Sequence, residues 1–319
     1  MTEALVQVDN LSRYYQNTCA ISHLSFTLTA GEVLGFLGPN GAGKSTTMQI
    51  ISGNLAPTEG EVSIAGYDIL EQPRAAKQKL GYLPEHPPVY HDASVDEFLT
   101  FCARLHRLDR AEVKAAVERV KRQCGLSEVE SRLIGNLSKG YQQRVGIAQA
   151  IIHDPPVVIF DEPTVGLDPI QIREIRELIR NLGSERSVIL STHILSEVQA
   201  TCDRVQIIRA GKLIYNAPIG TLRQDRDSSS ACIALRQAVK PDEITAIAGI
   251  EQVEALPNGR YRVHFAADAD ADALLSTAVA QHWGLYELVP EQQSLEDLFI
   301  ELTQDELGDE VAETDEDQG

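Results

Sequence analysis

Long apolar runs are missing from this 319-residue sequence. No stretch approaches the ~18 apolar residues that a membrane-spanning helix needs. The start, MTEALVQVDN, also lacks a basic stretch followed by an apolar core, as a secretory leader would have. The expectation is a chain that stays in the cytoplasm, with any path through a membrane supplied by another polypeptide. Basic residues are in deficit, 28 Lys and Arg against 47 Asp and Glu, for a formal charge of −19. Such a balance repels a nucleic-acid backbone, whose binding depends on clustered Lys and Arg that release counterions, so no nucleic-acid partner is expected. Cysteine is sparse: Cys19, Cys102, Cys124, Cys202 and Cys232 stand singly, without a C-x-x-C pair. A disulfide framework and a zinc-ligand spacing are thereby excluded, leaving reduced structural residues. Nor is there an internal repeat that would give a second nucleotide domain. What is present suits a folded protein, 43% hydrophobic and 24% charged, and the length leaves room for a large α/β domain and a smaller partner.

Organisation along the chain changes three times. LVQVDN and then AISHLSFTLTAGEVLGFLG read as strands, with a turn around Gln16 and Asn17, and the second run ends in a glycine-rich stretch. From about residue 84 to 152 the apolar period becomes helical, as in VDEFLTFCARLH and AEVKAAVERVKRQCG, which predicts a helical subdomain (86–152) inserted into the α/β core. Strand pattern returns at PPVVIFDEP and SVILSTH around a helix at IREIRELIRNLG, and this alternation argues for a largely parallel sheet. Past a polar linker, IGTLRQDRDSSS, the segments ACIALR, DEITAIAG, EQVEALP, YRVHFA, ADALLSTAVAQHW and LYELV read as β, α, β, β, α, β, the split pattern of ferredoxin-like domains. A last helix is expected at SLEDLFIELT, capped by Ser294 with Asp297 three residues on,. The resulting division is an α/β P-loop cassette (1–222), a small α+β domain (223–303) and a tail (304–319). That tail is acidic without a base, and is expected to be disordered.

Two motifs carry chemistry. Gly38-Pro39-Asn40-Gly41-Ala42-Gly43-Lys44-Ser45-Thr46 matches G-x-x-x-x-G-K-[ST] and lies between an apolar strand and the helix-compatible STTMQIISG, the context a phosphate-binding loop requires. Its glycines let backbone N–H groups point at phosphate oxygens, Lys44 reaches the β and γ phosphates, and Ser45 ligates Mg²⁺. The second motif, VVIFDE, delivers two carboxylates at the end of a buried strand, where an α/β sheet places its ligand crevice. Asp161 is positioned to hold Mg²⁺ and Glu162 to polarise the water that attacks the γ-phosphate.

Over residues 1 to about 220 the sequence resembles the nucleotide-binding subunit of an ATP-binding cassette transporter. The stretch that carries this resemblance is Asn136-Leu137-Ser138-Lys139-Gly140-Tyr141-Gln142-Gln143-Arg144, similar to the family's L-S-G-G-Q signature. The resemblance implies ATP as nucleotide and a helix start, at Ser138 and Gly140, that faces the γ-phosphate held by an opposite subunit. Two nucleotides would then sit between two chains, a homodimer or a pair with a close paralogue. It further implies adenine stacking by Tyr15, Glu85 in the place of a glutamine that contacts Mg²⁺ and water, a subunit-crossing loop at Gly166-Leu167-Asp168, and a γ-phosphate contact from His193. Glu85 departs from that glutamine, and Lys139 and Tyr141 replace a glycine and a glutamine of the signature. The C-terminal part, through SLEDLFIELT, resembles the accessory domain of export subunits of the drug-, polysaccharide- and gliding-associated branch.

These readings predict an ATPase that drives export through a separate multi-span permease at the cytoplasmic face of the membrane. Two alternatives stay open: a soluble cassette acting on ribosomes or DNA, and a nucleotide-sensing P-loop module without turnover.

Overall fold

The computed structural model of the chain describes residues 4–16, 18–220, 230–266, 269 and 271–291. The chain forms two compact units, Met1–Ile219 and Gly220–Gly319. In the first, six strands form one sheet in the order Lys212–Pro218, Arg204–Arg209, Val33–Leu37, Ser187–Thr192, Val157–Asp161, Leu80–Leu83. The last five run parallel, and Lys212–Pro218 returns antiparallel at the edge. VLGFL, VVIFD and SVILST are buried at every position, because a parallel sheet is covered on both faces.

The run AISHLSFTLTAGEVLGFLG, read above as one, is split between two sheets. Its first part, Thr18–Thr29, pairs antiparallel with Ala4–Tyr15, which in turn pairs with Glu59–Ile64. The burial of Thr18–Thr29 alternates through its second half, as expected where one face of an antiparallel sheet is covered. A turn at Thr29–Glu32, closed by the Glu32 N–H donating to Thr29 O at 3.3 Å, then carries the chain into the parallel sheet.

The predicted helical region contains helices Val95–Leu105, Arg110–Cys124 and Lys139–Ala150. Ser94 and Glu97 form a reciprocal cap at the first: the Glu97 N–H donates to Ser94 Oγ, and the Ser94 N–H to the Glu97 carboxylate at 2.9 Å. The ammonium of Lys121, only 1% exposed, lies within 2.8 Å of carboxylates from Asp96, Glu118 and Glu130. It thus ties the first two helices to the segment that follows them.

The second unit has strands Ser230–Leu235, Ile250–Leu256, Arg260–Phe265 and Leu285–Glu291 with helices Pro241–Thr245 and Asp272–Ala280. The sheet order is Ile250–Leu256, Arg260–Phe265, Ser230–Leu235, Leu285–Glu291, antiparallel throughout. This is the split βαββαβ arrangement read from the sequence. It has its own core, in which Ile233, Ile244, Val263 and Leu274 are fully buried. Most of the polar linker, the helix expected at SLEDLFIELT with Ser294 and Asp297, and the acidic tail 304–319 lie outside the described residues. No described helix is long and apolar enough to cross a membrane.

Candidate nucleotide site

The strand Val33–Leu37 runs into the phosphate loop, and the loop runs into helix Lys44–Ile51. At the helix start Gly43 has φ +102°, and a Cβ there would lie 2.6 Å from the carbonyl oxygen of Ala20. Only glycine fits both conditions. Lys44 is buried and folded back on its own loop, its ammonium donating to Gly38 O at 2.9 Å and Pro39 O at 3.1 Å. Asn40, Gly41, Gly43, Lys44, Ser45 and Thr46 line a cavity of about 290 Å³, closed by Glu85, Glu162, His193, Val165 and Ala20. Gly38 belongs to this site through its carbonyl beneath Lys44.

Val157–Asp161 brings both carboxylates to the same place. Asp161 is buried, and its Oδ1 accepts from Ser191 Oγ at 2.8 Å, with Ser45 Oγ at 3.5 Å. Burial raises its pKa, opposed by these hydroxyls, while the negative charges of Glu162 and Glu85 raise it further. A hydroxyl and a carboxylate thus converge as hard-cation ligands at a point where the carboxylate's charge is uncompensated, and this donor set fits Mg²⁺.

Glu162 follows in a left-handed backbone conformation, φ +49°, which costs a non-glycine residue about 1–3 kcal/mol. Its N–H donates to Ser191 O at 2.9 Å, which holds the turn. The carboxylate then sits between two bases, with Lys44 Nζ at 3.5 Å and His193 Nδ1 at 2.9 Å. Lys44, Ser45, Glu85, Asp161, Glu162 and His193 are therefore assembled by one chain, and the cluster combines a phosphate cradle, a cation position and a carboxylate suited to polarise water.

Four predicted residues are elsewhere. Ser138, Gly140 and Asp168 line a second cleft of about 600 Å³, together with Tyr141, Arg144, Pro169, Ile170, Gln171 and Glu174. Within the chain, Ser138 caps helix Lys139–Ala150, and Asp168 caps helix Pro169–Gly183 by accepting from the Ile170 and Gln171 N–H groups at 3.0 and 2.9 Å. Tyr15, at the end of its strand, is exposed, with the Arg13 guanidinium 4.7 Å from its ring centroid. Ala20 on the paired strand, rather than Tyr15, lines the phosphate cavity.

The sequence reading missed the groups that hold this site. Ser191 contacts Asp161 and Glu162, and in the sequence it is one of two serines in the strand SVILST, with nothing to set it apart from Ser187. Buried Glu197 accepts from Thr164 Oγ1 at 2.5 Å and Thr192 Oγ1 at 2.9 Å, fixing the segments beside Glu162 and His193. Nothing local in the sequence marks it, because its partners are 33 and 5 residues away.

Known proteins resemble this chain in sequence and in fold. The family model for ABC transporters matches residues 21–165. The ABC transporter ATP-binding protein NatA of Bacillus subtilis (strain 168) is 38% identical over 230 residues, covering 70% of this chain and 94% of that protein. The linearmycin resistance ATP-binding protein LnrL of the same organism is 32% identical, covering 94% of this chain and 98% of that protein. Among solved structures, an ATP-binding subunit of an ABC transporter superposes with a TM-score of 0.63 at 32% identity, over 69% of this chain and 92% of the other.

Proposed function

The chain belongs to the ATP-binding subunits of ABC transporters, ATPases that drive transport through a separate permease, and from that premise we propose which residues do the work and in which direction. Two chains, copies or close paralogues, close on two ATP molecules. The loop from Gly38 to Thr46, with Asn40, Gly41, Gly43 and Lys44, cradles the phosphates, and Tyr15 stacks on adenine. Ser45 and Asp161 hold Mg²⁺, with Glu85 facing the same cavity. When bound, Mg²⁺ neutralises charge on the phosphates. Glu162 orients and polarises the attacking water, and His193, bonded to it, contacts the γ-phosphate. Ser138 and Gly140 of one chain meet the γ-phosphate of the nucleotide on the other, and the loop at Asp168 crosses between them.

One observation carries this reading: Ser138, Gly140 and Asp168 line a different cleft from Lys44 and Glu162. They complete the phosphate cavity only if a second chain brings them there. Export, at the cytoplasmic face of the membrane, is supported by the near full-length likeness to a protein named for resistance to linearmycin. Residues 223–303 are then an accessory domain, followed by the acidic segment 304–319.

Affinity purification from gently solubilised native membranes tests the assignment. A co-purifying polypeptide with several spanning helices is expected. Recovery with ribosomes and without a membrane partner would move the ATPase to the soluble-cassette alternative.

A further inference from the structure

Glu85 and Lys139 make no ion pair among the described residues. Glu85 is exposed on the phosphate cavity, where Glu162 already stands, and Lys44 is the sole lysine or arginine among the lining residues. That lysine is committed to Gly38, Pro39 and Glu162. Glu85 itself makes no ion pair among the described residues, so an incoming triphosphate meets one more anion than Lys44 and a divalent cation are placed to offset.

Lys139 is the converse case. It is the first residue of helix Lys139–Ala150, whose first turn holds no acidic residue. A cation at that end opposes the helix dipole. Its side chain is exposed and makes no ion pair among the described residues. Instead it lies across the turn at Gly166, where an added methyl group would collide with Lys139 Nζ. This places the ammonium at the edge of the cleft that holds Ser138 and Asp168. The unpaired acid thus lines one cavity, and the unpaired base stands beside the other, next to Ser138 in sequence.

We infer that Lys139 of each chain is set against Glu85 of the other beside the shared nucleotide, a pairing that a second copy of this chain supplies. The inference rests on the two-chain closure proposed above and adds a charge pair across it. In a two-fold dimer, if one residue contacts a second, the second contacts the first in return. A copy therefore pairs both charges twice. A partner with neutral residues at these two positions would leave both of this chain's charges uncompensated at a closing, water-excluding surface, which such interfaces select against. The two departures from the family pattern, one acidic and one basic, become a single feature: the anion added at the metal side is offset by the cation added at the signature side.

The test is a double-mutant cycle on the purified full chain carrying Glu162→Gln, which blocks turnover, with dimer affinity measured by sedimentation in ATP and Mg²⁺. The chain alone is expected to dimerise with ATP and not with ADP. Glu85→Gln and Lys139→Gln are each expected to weaken the ATP dimer roughly tenfold, and the double variant to be no weaker than either single one. Losses that multiply, or single variants without effect in a chain that still dimerises, overturn the pairing and leave two-chain closure standing. A chain that stays monomeric with ATP, while its membrane complex contains a different cassette subunit, overturns self-pairing alone. A membrane complex with a single cassette would remove the closure reading with it.

Discussion

The phosphate cavity and the cleft at Ser138 each grow from a short motif, yet only the first is finished by its own chain. Around Lys44 every charged group but Glu85 has a partner within the chain: Glu162 has Lys44 and His193, and Asp161 has Ser191. Around Ser138 the same residue types do local work, since Ser138 and Asp168 cap the helices that follow them. Lys139, Tyr141 and Ile170 are left exposed. A motif whose contacts are satisfied internally describes a site, whereas one that leaves its groups exposed describes half of an interface.

Substitutions separate the two regions. The largest effect is expected from Lys44→Ala, which removes the cation from the cradle and leaves the buried Glu162 without its ammonium. Breaking a buried pair in this way costs the fold about 3–5 kcal/mol, and losing the ammonium's contact with the triphosphate should lower ATP affinity by more than ~100-fold, read by calorimetric titration. Retained affinity would show that the cavity is not the nucleotide site.

A smaller effect is expected where the two regions touch. Gly146, on the signature helix, packs on the segment that carries Glu85, and a Cβ there would lie 2.7 Å from Leu83 Cδ1 and 2.9 Å from Pro87 Cβ. Gly146→Ala should cost about 1–3 kcal/mol by overpacking, seen as a lower midpoint in denaturant, and an unchanged midpoint would contradict this packing. The smallest belongs to the cleft: Asp168→Ala removes a helix cap worth about 1 kcal/mol. Asp168→Asn should restore most of it, and equal losses in the two variants would mean that capping is not what Asp168 contributes to stability.

Much of this was legible in the sequence, for reasons that are themselves local. The phosphate loop is set by glycines that allow its backbone and by the apolar strand before it. The helix at Val95 announces itself through the helical apolar period of VDEFLTFCARLH, and the βαββαβ order of the second unit through segments of alternating period. What was not legible depends on pairing between distant segments. Thr18–Thr29 and Val33–Leu37 read as one apolar run, and only the turn between them and the partner strand Ala4–Tyr15 decide that they enter different sheets. Ser191 and Glu197 act on residues brought alongside by the sheet register, so neither stands out in its own neighbourhood. The left-handed conformation of Glu162 has the same origin, because it is the Ser191 carbonyl on the adjacent strand that holds it.

The account turns on whether Ser138 serves a second chain as well as its own helix, and Ser138→Asp, in the Glu162→Gln chain, separates the two roles. Aspartate caps a helix as well as serine does, so fold and ATP binding should be unchanged. Its added charge would face the γ-phosphate of the opposite nucleotide. The ATP-dependent dimer of the parent chain, measured by sedimentation, should then be lost. A Ser138→Asp chain that dimerises as readily as its parent would contradict the two-chain site.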